Sequence, residues 1–142
     1  MKTSCFFKLS LIIFSFIILS GCMATPRYLT SPSQNAFYKL EDAQIISKTK
    51  EIMSYALKDP DSAKYRNIRI SVIDTESVKS NPELLEGAVQ CVCFDVNAKN
   101  SYGGYTGFKL TGLYGDGSII DNAHVDLFCN SSYKTYKYLD AK

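Results

Sequence analysis

The chain has 142 residues, with 16 basic and 14 acidic side chains. Lys2 and Lys8 are the only charges in the first 21 residues, so beyond them the two signs balance at 14 each. No basic stripe stands out, which argues against nucleic-acid binding, and the length after residue 21 suits one domain with a modest core.

The N-terminus reads as a signal peptide, Met1–Gly21. Lys2 and Lys8 form a positive leader, and the apolar run Leu9–Leu19 is 11 residues long. A permanent transmembrane helix needs about 20, so the run fits an exported leader. Leu19-Ser20-Gly21-Cys22 resembles a bacterial lipobox, which implies cleavage before Cys22 and lipidation of its thiol. A multiply acylated N-terminus is held durably, whereas one acyl chain binds a membrane only marginally. Met23 stands where an aspartate is the usual inner-membrane retention signal, so the same resemblance points to the outer membrane, with the domain facing the periplasm.

Residues 22–36 contain Pro26 and Pro32 with little periodicity and read as the lipidated N-terminus and a tether. Residues 37–142 read as a single globular domain. A helix is predicted from about Ala36 to Lys58, because Ile45, Ile46, Thr49, Ile52, Met53, Ala56 and Leu57 recur at helical spacing. Asp59-Pro60 ends it and starts a second, short helix, with Asp59 as N-cap and Pro60 in the first turn.

Strands follow. Asn67–Asp74 places Ile68, Ile70 and Val72 on one face and Arg69 and Ser71 on the other. Thr75–Glu83 is polar and reads as a loop. Gly87–Ala98 has Val92, Phe94 and Val96 on one side and Val89, Cys91 and Cys93 on the other; apolar character on both faces marks a central strand. Tyr105–Tyr114 is a further strand, Gly115-Asp116-Gly117 a hairpin signal, and Ser118 to about Cys129 one or two last strand segments. The tail from Ser131 is ambiguous, with Tyr133, Tyr136 and Leu139 at roughly helical spacing. The expected fold is therefore α+β: one long N-terminal helix and a short helix packed on an antiparallel meander sheet of about four strands.

Three of the five cysteines, Cys91, Cys93 and Cys129, remain for the folded domain once Cys5 leaves with the leader and Cys22 is acylated. An oxidising compartment favours a disulfide. Cys93–Cys129 with Cys91 as a buried spectator is the leading pairing, Cys91–Cys129 the next, and a redox or metal site the third. His124, the single histidine, adds little to a metal reading.

The least generic stretch is Val96-Asn97-Ala98-Lys99-Asn100-Ser101-Tyr102-Gly103-Gly104-Tyr105-Thr106-Gly107-Phe108. With Leu57–Asn67, which holds Asp59-Pro60-Asp61-Ser62-Ala63-Lys64-Tyr65-Arg66, it resembles a group of small exported bacterial lipoproteins of uncharacterised function. In that group a cysteine precedes the V-N-A-K-N segment, at the position of Cys93 here. The likeness spans Leu57 to Phe108 and departs at Phe94-Asp95, where Gly-Glu is commoner. It implies a fold and carries no activity.

On physical grounds, Gly103 and Gly104 permit positive φ and close approach of a partner. Asn97 and Asn100 can brace a turn, and Tyr102 and Tyr105 would flank a small recognition surface. No Ser/His/Asp set, metal spacing or carboxylate pair stands out, so neither cofactor nor metal is implied. The expectation is a non-enzymatic envelope protein, membrane-bound through its N-terminal lipid, that binds an envelope protein or cell-wall component through this loop. An inhibitor or immunity lipoprotein and a thiol-dependent redox protein are the alternatives.

Overall fold

The computed structural model describes residues 31–140; the leader, the lipobox and Cys22 lie outside the described residues. Four antiparallel strands form one sheet: β1 (Lys64–Val72), β2 (Val89–Asn97), β3 (Lys109–Tyr114) and β4 (Tyr136–Tyr138). Three helices accompany them: α1 (Asp42–Ser54), α2 (Thr75–Ser80) and α3 (Val125–Cys129). The α+β class is as expected.

The strand order β3-β2-β1-β4 departs from the expected meander. The chain runs β1 to β3 as neighbours, then returns to the far edge of the sheet, where β4 pairs with Arg69–Ser71 of β1. That is the spatial order of a Greek key.

The predicted long helix is shorter than expected, Asp42–Ser54 alone. Its start is set by a capping box: the Glu41 N–H donates to Gln44 Oε1 at 2.9 Å, and the Glu41 side chain accepts from the Gln44 N–H. Residues ahead of it turn instead. Asn35 is buried, donating from Nδ2 to the Val89 carbonyl at 2.8 Å, and Lys39 takes φ +56°, so Phe37 drops into the core. The two ends of the predicted helix thus serve packing without being α-helical: Ala36, Phe37 and Leu40 ahead of α1, and Leu57 after it, all join the core. The polar loop at 75–83 contains α2, whose N-cap Asp74 accepts from the Ser77 N–H at 2.7 Å. The expected second helix after Asp59 is a single 3₁₀ turn, Pro60–Ser62.

The sheet is covered on both faces. On one, Ile68, Ile70, Val92, Phe94, Val96 and Leu113 pack with Phe37 and with Ile45 and Met53 of α1. On the other, Cys91 and Cys93 pack with Ile120, Val125 and Cys129. Central β2 is apolar on both sides for this reason. Val89 belongs to the α1 side, contrary to simple alternation with Cys91. The register passes from Ser71↔Cys91 to Val72↔Val89 and skips Gln90, and one extra residue in a strand reverses the faces.

The predicted strand from Ser118 to Cys129 is corrected in its second half. Ile119 makes an isolated bridge to Leu113, and then α3 forms, so Cys129 sits on a helix. The ambiguous tail supplies β4.

Candidate functional site

Antiparallel pairing of β1 with β2 puts Lys64 opposite Asn97, so the corner before β1 and the loop after β2 meet at one end of the sheet. The two least generic stretches of the sequence thereby form one structure, with Ser62 at its centre. Asp59 caps the 3₁₀ turn by accepting from the Ser62 N–H at 3.2 Å, and Ser62 Oγ donates to the Asp59 carbonyl at 2.9 Å. The same Oγ accepts the Lys99 N–H at 2.9 Å, and the Ser62 carbonyl accepts the Tyr105 hydroxyl at 3.0 Å.

Asn100 builds the loop itself. Its Oδ1 accepts from the N–H groups of Tyr102 at 2.9 Å and Gly104 at 3.1 Å. Its backbone accepts from Gly103 at 3.0 Å and donates to the Gly104 carbonyl at 2.9 Å. An isolated bridge between Lys99 and Tyr105 closes the base. Gly103 has φ +80°, as the Gly-Gly pair suggested, but the second positive φ falls at Gly107 and not at Gly104.

The two tyrosines do not act alike. Tyr102 is 96% exposed at the tip. Tyr105 folds back onto Ser62, with the ammonium groups of Lys64 and Lys99 lying 4.8 and 5.8 Å from its ring centre. Close by in sequence, Arg66 stacks on Phe108 at 3.9 Å and pairs with Asp95 at 3.2 Å, and Asn67 Nδ2 donates to the same carboxylate at 2.7 Å. Asp95 is thus a structural anchor. Asn97 Oδ1 is buried and finds no hydrogen-bond partner among the described residues.

On the α1 side of the same loop lies an open groove of about 370 Å³. Met53, Ala56, Leu57, Val96 and Ala98 give it an apolar lining, and Lys58, Lys99 and Lys109 add three cations. Sequence reading missed Ser62 and the groove. The available signal was the register of the flanking strands, which sets Pro60–Ser62 against Lys99.

The cysteine cluster lies elsewhere, on the opposite face of the sheet from α1. Cys93 and Cys129 are disulfide-bonded, with Cα atoms 5.5 Å apart. Cys91 is a free, fully buried thiol whose Sγ lies 3.9 Å from that of Cys93 and 3.4 Å from the Phe128 carbonyl oxygen. Burial pushes the thiol above its ordinary value, with Lys134 the strongest of the opposing influences. A reactive thiol needs both thiolate character and access, and Cys91 has neither. His124 is exposed, its Nδ1 2.8 Å from the Asp121 carboxylate, and this contact holds the Asp121 carboxyl below its ordinary range. Among the described residues no cluster of three or more His, Cys, Asp or Glu is placed to hold a metal ion.

Compared with protein families, curated proteins and solved structures, the chain matches none.

Proposed function

We propose that this protein is a non-enzymatic binding module of the cell envelope. It is held at the membrane by lipid on Cys22 and engages an envelope protein or cell-wall component through the Asn97–Tyr105 loop. The observation that carries the reading is the state of that loop: Asn100 holds the backbone rigid from within while Tyr102 projects almost fully into solvent. Loss of side-chain and loop freedom opposes binding, and a loop already in shape pays less of it. An exposed tyrosine on such a support has the apolar body and polar tip that recognition surfaces favour.

The membrane half of the proposal rests on the lipobox-like Leu19–Cys22 and the leader ahead of it. In-cell cross-linking from a photoreactive group at position 102, followed by mass spectrometry, tests the binding half. A reproducible envelope partner, lost when Asn100→Ala loosens the loop, is the expected result. Labelling that is unchanged by Asn100→Ala would overturn the loop as the recognition element. Cys22→Ala is expected to release the protein from the membrane fraction, and retention there would overturn the anchor.

A further inference from the structure

We propose that the groove beside the loop is a second binding site, for a single-chain anionic amphiphile: an acyl chain ending in a carboxylate. The inference goes beyond the loop reading and does not depend on Tyr102, which is not among the residues lining the groove.

The shape comes from the end of α1. The helix stops at Ser54, and the N–H groups of Ala56 and Leu57 both turn back to the Met53 carbonyl. That turn carries Ala56, Leu57 and Lys58 past the helix end and sets them across from Val96 and Ala98 of the β2 end. Small side chains at Ala56, Ala98 and Gly107 leave the space between unfilled. At about 370 Å³ the groove falls within the size range of small-ligand sites, which are mostly apolar with a few oriented polar groups.

Charge selects the ligand. Lys58, Lys99 and Lys109 line the groove, and no carboxylate does. None of the three lysines is ion-paired among the described residues. Lys99 has only the Tyr105 ring beneath it. The acids of the neighbouring segments are elsewhere: Asp59 caps the corner, Asp95 pairs with Arg66, and Asp61 does not line the groove. An uncharged chain would satisfy the apolar lining and gain nothing from the three ammonium groups. An acidic head joined to an apolar chain meets both.

The test uses membranes carrying the full chain, exposed to a diazirine analogue of dodecanoic acid or of dodecanol and then irradiated. Adducts from the acid are expected on peptides covering residues 53–58 and 96–111, with weaker labelling by the alcohol. Lys58→Gln/Lys99→Gln/Lys109→Gln removes the three charges, with the Lys99–Tyr105 ring contact, and is expected to lower labelling by the acid roughly fivefold or more, the scale of three exposed charge pairs. Ala98→Leu fills the groove and should abolish labelling, while Tyr102→Ala leaves it unchanged. Equal labelling by acid and alcohol, adducts mapping outside those peptides, or persistence in Ala98→Leu would each overturn the proposal. Loss of labelling in Tyr102→Ala would overturn it as a separate site.

Discussion

Gly112 of β3 lies directly across from Cys93 of β2, and the Cys129 sulfur occupies the space that a side chain at 112 would fill. A Cβ built on Gly112 falls 2.8 Å from Cys129 Sγ and 2.8 Å from Ile120 Cδ1. The glycine is therefore required by the disulfide and by the Ile120 side chain, not by a turn. Glycine inside a strand normally costs about 0.5–1 kcal/mol relative to alanine. Here the sign reverses. Gly112→Ala is expected to destabilise by about 1–3 kcal/mol, the range for overpacking a filled core, read as a lower urea midpoint. In a Cys93→Ala/Cys129→Ala background the sulfur is gone and the penalty should shrink. An unchanged penalty would place the whole clash on Ile120.

The Cys93–Cys129 bridge closes a sequence separation of 36 residues and ties α3 to the central strand. Removing it is expected to cost about 3–4 kcal/mol on the chain-entropy account. α3 has five residues, too few to persist without tertiary support. Amide exchange in Val125–Cys129 should accordingly rise more than in β2 when the disulfide is replaced by alanines. Uniform acceleration through both would show that the bridge stabilises the domain as a whole rather than docking this helix.

Much of this arrangement was legible in the sequence, and the failures have particular causes. β2 declared itself central because Val92, Phe94 and Val96 alternate with Cys91 and Cys93, and both sets are buried. The pairing of Cys93 with Cys129 was anticipated, although Cys129 was expected on a strand. Asp121 accounts for the difference. Its carboxylate accepts the N–H groups of Ala123 and His124, and its backbone carbonyl accepts from His124 and Val125, starting a helix where the residues suit a strand. The tail is ambiguous in the sequence because Tyr133, Tyr136 and Leu139 fall at roughly helical spacing, and Tyr136–Tyr138 became β4 by pairing with the edge of β1. In the candidate site, the brace by Asn100 and the positive φ of Gly103 were legible, whereas Asn97, expected to brace the turn as well, has its Oδ1 without a partner among the described residues. The division of labour between Tyr102 and Tyr105 was not legible, because it depends on Ser62, which is 43 residues away from Tyr105 in sequence.

Arg69 is 7% exposed, on a strand whose alternation marked it only as polar. Its guanidinium donates to the Asn67 carbonyl at 3.1 Å, the Cys129 carbonyl at 2.9 Å and Asn130 Oδ1 at 3.4 Å. It also lies 5.6 and 5.8 Å from the ring centres of Tyr136 and Tyr138. A cation at the C-terminal end of α3 complements the carbonyls of that helix's last turn, while the two rings hold it beneath β4. Arg69→Leu should destabilise by roughly 2–3 kcal/mol, the scale for losing charged hydrogen bonds and stranding their buried acceptors. Arg69→Lys should recover little, since a single ammonium cannot reproduce the planar fork. Full recovery by lysine in thermal melts would reduce the role of Arg69 to charge alone.

Cys91 makes stability depend on alkaline pH. Burial raises its thiol above the ordinary 9.0, against smaller opposing effects from Lys134, the Ser71 backbone and Arg69. The folded protein therefore keeps this proton over a range where the unfolded chain has lost it. Below pH 9 the contribution is fully present, and it falls as pH rises past 9 until the buried thiol also ionises. Lys134, itself pushed down by burial, gives a contribution of opposite sign, and Tyr136, pushed up, one of the same sign. Subtracting the stability curve of Cys91→Ala from that of the unmodified protein gives the contribution of the thiol together with its couplings to Lys134 and Tyr136. A difference that declines above pH 9 is expected; a flat difference would mean that Cys91 is not held neutral by its surroundings. Thiol reagents at neutral pH should modify Cys91 only as fast as the domain opens.

The loop gives a prediction that separates rigidity from stability. Asn100 Oδ1 serves two backbone N–H groups, but both lie on the exposed tip. Asn100→Ala should therefore lower global stability by at most about 1 kcal/mol, the net worth of ordinary hydrogen bonds that water can replace. Its local effect should be larger: amide exchange at Tyr102 and Gly104 accelerates while exchange in β2 and β3 stays unchanged. Tyr102→Ala should alter neither stability nor exchange, because the ring is 96% exposed and packs on nothing that folding requires. Ser62→Ala should behave differently again, since it removes the Oγ that accepts the Lys99 N–H and ties the loop base to the corner. If Asn100→Ala slowed no exchange and accelerated none, Ser62 and the Lys99–Tyr105 bridge alone would be holding the loop. The rigidity needed for recognition would then reside at its base.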